Sequence, residues 1–269
     1  MTNKYEFVPG DEITIAPGRT VKRIRALVAI ATFGVAAGDV GGYVENVENL
    51  SQVSGNAWVY GDAWVYGDAW VYGDARVSGN AWVYGDARVS GNAWVSGNAW
   101  VYGNAWVSGN ARVYGDAWVY GDARVYGNAR VYGNARVYGD ARVSGDAQVY
   151  GDARVSGDAW VSGNARVSGN AWVYGNAWVY GDARVYGDAW VYGDARVSGN
   201  AQIVWFSKVG RDNGTLTVFK DKDGQLIATR GCFIGTIDEF LSKSEAEHDD
   251  KTHLEYRLLI EVAYSRLTK

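Results

Sequence analysis

From Val47 to Ile203 the apolar positions of the chain recur every six residues through 26 hexads, with no insertion or deletion. After the first hexad, Val47-Glu48-Asn49-Leu50-Ser51-Gln52, the pattern is strict. Position one is Val, two is Tyr or Ser, three is Gly, four is Asp or Asn, five is Ala, and six is Trp or Arg except at Gln148 and Gln202. Successive side chains of a strand point to opposite faces. In Ala63-Trp64-Val65-Tyr66, Ala63 and Val65 therefore share one face, and Trp64 and Tyr66 the other. Small aliphatic residues at every second place suit a narrow packed interior, which leaves Trp and Arg facing outward. Gly-Asp and Gly-Asn supply corners, because these residues tolerate left-handed backbone angles. A helix is excluded, since a glycine in every hexad would cost about 1 kcal/mol each time. Strand, corner and strand at a fixed short period predict a parallel β-helix, a solenoid in which each turn packs only on its neighbours.

The Val-x-Gly-Asp/Asn-Ala-x unit resembles the hexapeptide repeat of left-handed parallel β-helix proteins. That resemblance implies a triangular prism with three hexads per coil. It also implies left-handed winding, an exception to the usual crossover rule, and association of copies into trimers around a threefold axis. The expected fold is thus an all-β solenoid, a left-handed parallel β-helix of about nine coils and roughly 40 Å long at the spacing of stacked strands. Residues 1–46 are expected to form an N-terminal β cap, 47–203 the repeat, and 204–269 a small C-terminal α+β cap. The segments at the two ends are similar to those of hypothetical phage and prophage proteins. They are Arg23-Ile24-Arg25-Ala26, Gly38 to Tyr43, Trp205 to Gly210, and Gly231-Cys232-Phe233-Ile234-Gly235-Thr236.

Every eighteenth residue falls on one outer face. One face carries Trp58, Arg76, Trp94, Arg112, Arg130, Gln148, Arg166, Arg184 and Gln202 and is mainly basic. A second carries Trp64, Trp82, Trp100, Trp118, Arg136, Arg154, Trp172 and Trp190. Its position-two neighbours include Tyr66, Tyr84, Tyr102 and Tyr120, so that 13 of its 16 outward places are aromatic. The third face carries Trp70, Arg88, Trp106, Arg124, Arg142, Trp160, Trp178 and Arg196, mostly beside Ser. The corner after the Trp64 face collects Asp68, Asp86, Asp122, Asp140, Asp158 and Asp194. The simple expectation there is a solvated corner balanced by nearby arginines. Calcium is poorly supported, because calcium-binding β-roll repeats use nine residues.

Outside the repeat, Tyr5 to Val8 and Val21 to Ile30 read as strands, with Pro9 and Pro17 in loops, covering the first coil against edge pairing. Thr215 to Lys220 and Gln225 to Arg230 read as a hairpin around Asp223-Gly224. Thr236-Ile237-Asp238-Glu239 is a capping box that opens a helix to about Glu247. A second helix, from about Lys251 to Leu267, bears the apolar stripe Leu254, Leu258, Leu259 and Val262. That stripe is expected to pack on the solenoid end or on a neighbouring subunit.

Composition narrows the chemistry. A formal net charge of −4 and Asp corners argue against nucleic acid. The single cysteine, Cys232, gives no internal disulfide. With no apolar run of membrane-spanning length and no apolar leader after Met1, a cytoplasmic protein with no membrane association is expected. The resembled family includes acyltransferases with a histidine base and carbonic anhydrases with three zinc-binding histidines. Here only His248 and His253 are present, both outside the repeat. No catalytic residue, metal ligand or cofactor is therefore expected, although Cys232 with a histidine base, or an acyltransferase-like enzyme with an atypical site, is an alternative. Twelve outward tryptophans exceed the apolar surface a soluble monomer exposes. The expectation is a non-enzymatic, self-associating binding or scaffold protein, an accessory protein of a phage or prophage. Its interface is assigned to Trp64, Tyr66, Trp82, Tyr84, Trp100, Tyr102, Trp118, Tyr120, Trp172 and Trp190. The other partners considered are a host protein, and, on the remaining faces, a glycan or a small nucleotide held between subunits.

Overall fold

The computed structural model describes residues 3–52 and 55–268; Val53 and Ser54, which open the second hexad, lie outside the described residues, as do Met1, Thr2 and Lys269. From Trp58–Val59 to Arg196–Val197 each hexad contributes one two-residue strand, made of positions six and one. Strands 18 residues apart pair in parallel, as in Trp64↔Trp82, Trp82↔Trp100 and Trp100↔Trp118. The pairings gather into three sheets, each with eight strands of the repeat. The molecule is a parallel β-solenoid. Its ladder runs through the corners as well as the strands: Trp100 N–H donates to Ala117 O, Tyr102 N–H to Val119 O, and Asp116 N–H to Gly133 O, each at 3.0 Å.

The interior is as narrow as the alternation requires. Ala57 to Ala195 and Val59 to Val197 at positions five and one are buried and form one continuous core. Glycine makes the corners possible. At Gly109 φ is +67°, and an added Cβ would lie 3.0 Å from both N and O of Gly127 in the next coil.

Eight rungs form where the hexad count implied almost nine, because the first and last hexads fold differently. Val47–Asn49 and Asn200–Gln202 are single 3-10 turns. Val47 is 49% exposed, and Leu50 takes the interior place instead, bridging to Val71. The cause is Asn49, whose Nδ2 donates to both Gly67 O and Ala69 O at 2.8 Å and pins the turn to the Gly67–Ala69 corner one coil on. At the far end the Asn200 side chain accepts from Arg184 N–H at 3.0 Å.

Strands Tyr5–Ala16 and Arg19–Ala26 form an antiparallel hairpin, and Val40–Val44 follows. Tyr43 then pairs in parallel with Trp64, so the Trp64 sheet continues into the cap and reaches 11 strands. Pro9 was expected in a loop but lies within the first strand, where the pairing register shifts between Phe7 and Glu12. An edge strand tolerates proline there because no ladder hydrogen bond is lost on the solvent side. The cap also covers part of a face. Trp58, read as outward, is on the outer side of its strand yet only 1% exposed, with Tyr5 edge-on at 6.4 Å.

At the other end, Ile203–Val209, Gly214–Lys220, Leu226–Arg230 and Phe233–Thr236 make a consecutive antiparallel sheet. Helices Ile237–Glu247 and Asp250–Leu267 pack on it. The capping box forms, with Thr236 N–H donating to Glu239 Oε2 at 2.8 Å and Glu239 N–H to Thr236 Oγ1 at 3.3 Å. Two buried threonines seal the last rung: Trp190 N–H donates to Thr217 Oγ1 at 3.2 Å, and Thr229 Oγ1 donates to Trp190 O at 3.3 Å. The second helix buries Tyr256, Ile260, Ala263 and Leu267. The expected stripe does not pack on the solenoid; Leu254, Leu258 and Val262 are exposed. The helix has two apolar stripes, and the one that carries Tyr256 wins because its ring meets Phe240 and His248. Among the described residues no helix is long and apolar enough to cross a membrane.

Candidate functional site

Parallel pairing in exact 18-residue register puts like residues above one another, and on the Trp64 face this produces two continuous aromatic columns. The indoles of Trp64, Trp82, Trp100 and Trp118 stack at centroid spacings of 4.8, 4.9 and 5.0 Å, with planes within 8°. Beside them Tyr66, Tyr84, Tyr102, Tyr120 and Tyr138 stack at 4.9 to 5.0 Å, within 3°. Trp172–Trp190 and Tyr174–Tyr192 continue the arrangement beyond Arg136 and Arg154. Those arginines join the column: Arg136 lies 4.8 Å over the Trp118 ring and Arg154 4.7 Å over Trp172. Cation–π attraction of this kind contributes about 0.5–1 kcal/mol at exposed sites.

All ten residues assigned to the interface from the sequence lie on this one sheet, and all are half-buried. The stacking itself covers them. More exposed indoles, 37–43% accessible, occur on the other faces, at Trp70, Trp94, Trp106 and Trp178. Column packing also affects the phenols. Burial, together with the adjacent Tyr84 and Tyr120, pushes Tyr102 up to about 12. Burial raises Tyr66, Tyr84 and Tyr120 in the same direction.

Where position two is Ser, the indole of the next coil takes another pose. Trp94 Nε1 donates to Ser78 Oγ at 3.0 Å, Trp106 to Ser90 at 3.1 Å and Trp160 to Ser144 at 2.9 Å. The corners are balanced differently from expectation. Among the described residues no arginine of the repeat pairs with an aspartate of the repeat. Asparagine amides take that part instead: Asn98 Nδ2 donates to Asp116 and Asn104 Nδ2 to Asp122, both at 2.9 Å. Five guanidinium groups of the repeat, those of Arg76, Arg112, Arg136, Arg154 and Arg196, lie over aromatic rings instead. Among the described residues no group of three or more His, Cys, Asp or Glu could hold a metal ion.

A family model described as YdcK Beta solenoid repeat matches thirteen segments, some of them overlapping, from 51–67 and 69–85 to 189–203, together covering more than half of the chain. The chain belongs to the YdcK β-solenoid repeat family. A comparison with curated proteins gave no match.

In this YdcK-family solenoid the end segments singled out in the sequence fasten the caps to the repeat. Arg23 is the hub of the first. It donates to Gly41 O at 3.0 Å, Gly61 O at 3.1 Å and the Tyr43 hydroxyl at 2.7 Å, and its Nε lies 3.0 Å from Asp11. Gly41 and Gly42 allow the close approach, since a Cβ on either would lie 2.6 Å from Val59. Sequence reasoning marked these segments but gave them no contacts. Their partners are 12 to 38 residues away, so no local spacing shows them.

The alternative nucleophile is also placed. Exposed Cys232 lines a cleft of about 260 Å³ with Arg230, Phe233, Lys243 and His248. His253 does not share it and lies with Nδ1 3.3 Å from Ser244 Oγ.

Proposed function

We propose that this YdcK-family solenoid is a non-catalytic, self-associating protein whose Trp64 face packs against further copies of the chain. The observation that carries this reading is the pair of adjacent columns, four stacked indoles beside five stacked phenols. Stacking at strand spacing makes a flat, pre-ordered aromatic surface, so little side-chain entropy remains to be lost on association. Trp, Tyr and Arg, which make up its outer layer, are the residues that dominate interface energetics. A threefold arrangement of parallel solenoids, as the resemblance to hexapeptide-repeat proteins implies, would bury this face on every copy. Similarity of the end segments to phage and prophage proteins supports an accessory role inside a host cell.

Light scattering tests the reading. The wild-type chain is expected at a multiple of 29.3 kDa, and the Trp82→Ser/Trp100→Ser/Trp118→Ser variant at the monomer mass. The control Trp70→Ser/Trp106→Ser, on the third face, is expected to keep the wild-type mass. A monomeric wild type, or an unchanged mass in the triple variant, rejects this face.

A further inference from the structure

On the Trp58 face the position-two column runs Tyr114, Tyr132, Tyr150, Ser168, Tyr186. Tyr114, Tyr132 and Tyr150 stack at 4.9 Å with planes within 3°. Ser168 then leaves one place empty. Tyr150 and Tyr186 are two rungs apart, about 9.6 Å of axial rise, which is room for one flat ring at the column's own spacing. The C-terminal cap walls this gap. Trp205 stands edge-on to Tyr186, with centroids 4.4 Å apart and planes at 88°. Arg266 reaches in from the last turn of the second helix. The result is a cleft of about 720 Å³, within the range of about 300–1,000 Å³ typical of small-molecule sites.

Charge in the cleft has one sign. Arg166 and Arg184 line it from the neighbouring column together with Arg266, and no Asp or Glu lines it. Among the described residues none of the three has a carboxylate within 4.0 Å. Arg76, Arg112, Arg136, Arg154 and Arg196 of the repeat lie over aromatic rings, whereas no such ring contact is observed for Arg166, Arg184 or Arg266. Serine in position two opens smaller clefts too, at Ser96 and Ser108, of about 190 and 310 Å³. Each again combines arginines with a tyrosine. The Ser168 cleft gains a wall from the cap, as does a cleft of about 600 Å³ at Ser162, but the latter is lined by Asp221 as well as by Arg196, Lys220 and Lys222.

We propose that the Ser168 gap binds a small anion that carries a planar ring, of the chemical class of nucleoside phosphates. The ring occupies the place of the missing tyrosine between Tyr150 and Tyr186. The phosphate meets the unpaired guanidinium groups, whose planar forks suit its oxygens. The site lies on a different sheet from the Trp64 columns and stands or falls independently of self-association.

Isothermal titration of the full chain with AMP, GMP, CMP and UMP, alongside inorganic phosphate and adenosine, decides the matter. At least one nucleotide is expected to bind once per chain, tenfold or more tightly than phosphate or adenosine, and to raise the melting temperature. Ser168→Tyr fills the column; it is expected to abolish binding without lowering the melting temperature. Arg184→Ala/Arg266→Ala is expected to weaken binding at least tenfold. The proposal is overturned if no nucleotide gives heat, if phosphate alone binds as tightly, or if binding survives Ser168→Tyr.

Discussion

Asn104 donates through Nδ2 to the Asp122 carboxylate one coil ahead, at 2.9 Å. The same contact links Asn98 to Asp116, Asn134 to Asp152 and Asn176 to Asp194. An amide below a carboxylate satisfies it; a carboxylate below a carboxylate repels it at strand spacing. In this corner column Asp122, Asp140 and Asp158 follow one another without an intervening amide. Asp140→Asn is therefore expected to stabilise the protein by about 0.5–1 kcal/mol, and Asn104→Asp to destabilise it by a similar amount. Thermal melts of the two variants at pH 7 check both signs.

Glycine at the corner answers to two constraints that substitution can separate. Gly109 has a left-handed φ of +67° and a Cβ position 3.0 Å from the next coil's backbone, whereas Gly10, at φ +78°, has nothing within 4 Å. Gly10→Ala should cost about 1–2 kcal/mol for the backbone angle alone. Gly109→Ala carries the same angle and a clash with Gly127, so its loss should be larger. Equal losses in urea unfolding would mean that coils can part at the corner at no cost.

Much of this architecture was legible in the repeat because a solenoid turns sequence spacing directly into spatial neighbours. Ala63 and Val65 inward, Trp64 and Tyr66 outward, and Trp82 above Trp64 all follow from alternation and an 18-residue coil. The ends were less legible. Val47 keeps the six-residue register of Val59, yet its hexad has Asn49 where the others have Gly, and Asn49 pins it into a turn that puts Leu50 inside. The second helix offers two apolar stripes, and the sequence favoured Leu254 and Leu258 although the cap buries Tyr256 and Ile260. The Ser168 cleft was invisible for the same reason: the gap in the tyrosine column can be read, but its wall comes from Trp205 and Arg266, far along the chain.

Stacked phenols give the protein an alkaline limit. Tyr102 titrates at about 12 in the fold, raised by burial and by neighbouring phenols, against about 10 in an unfolded chain. Below pH 10 the phenol is neutral in both states and its contribution is complete. Between pH 10 and 12 the unfolded chain loses its proton first, so stability falls as pH rises. Ultraviolet phenolate absorbance should therefore rise late in the native protein, and the melting temperature should drop over the same interval. Tyr102→Phe should lessen the drop; a melting temperature flat from pH 9 to 12 would contradict the assignment.

Columns and core respond differently to changes in repeat number. Every face presents the same Val and Ala to the interior, so the core accepts any whole number of hexads. The outer columns accept only whole coils, because Trp must follow Trp at 18 residues. Deleting Gly91 to Ser108, one full coil, is expected to leave a folded protein with its columns one rung shorter. Deleting Gly91 to Ser96, a single hexad, moves every later residue to the next face. The interior then stays filled and Trp82 comes under Trp106, but Tyr84 comes under Ser108 in place of Tyr102. One stacked phenol pair is lost, and an aromatic pair contributes about 0.5–1.5 kcal/mol beyond its buried area. Adding Ser108→Tyr to the six-residue deletion restores an unbroken phenol column and is expected to recover about that amount in urea unfolding. No gain from Ser108→Tyr would show that the phenol column adds nothing to the solenoid.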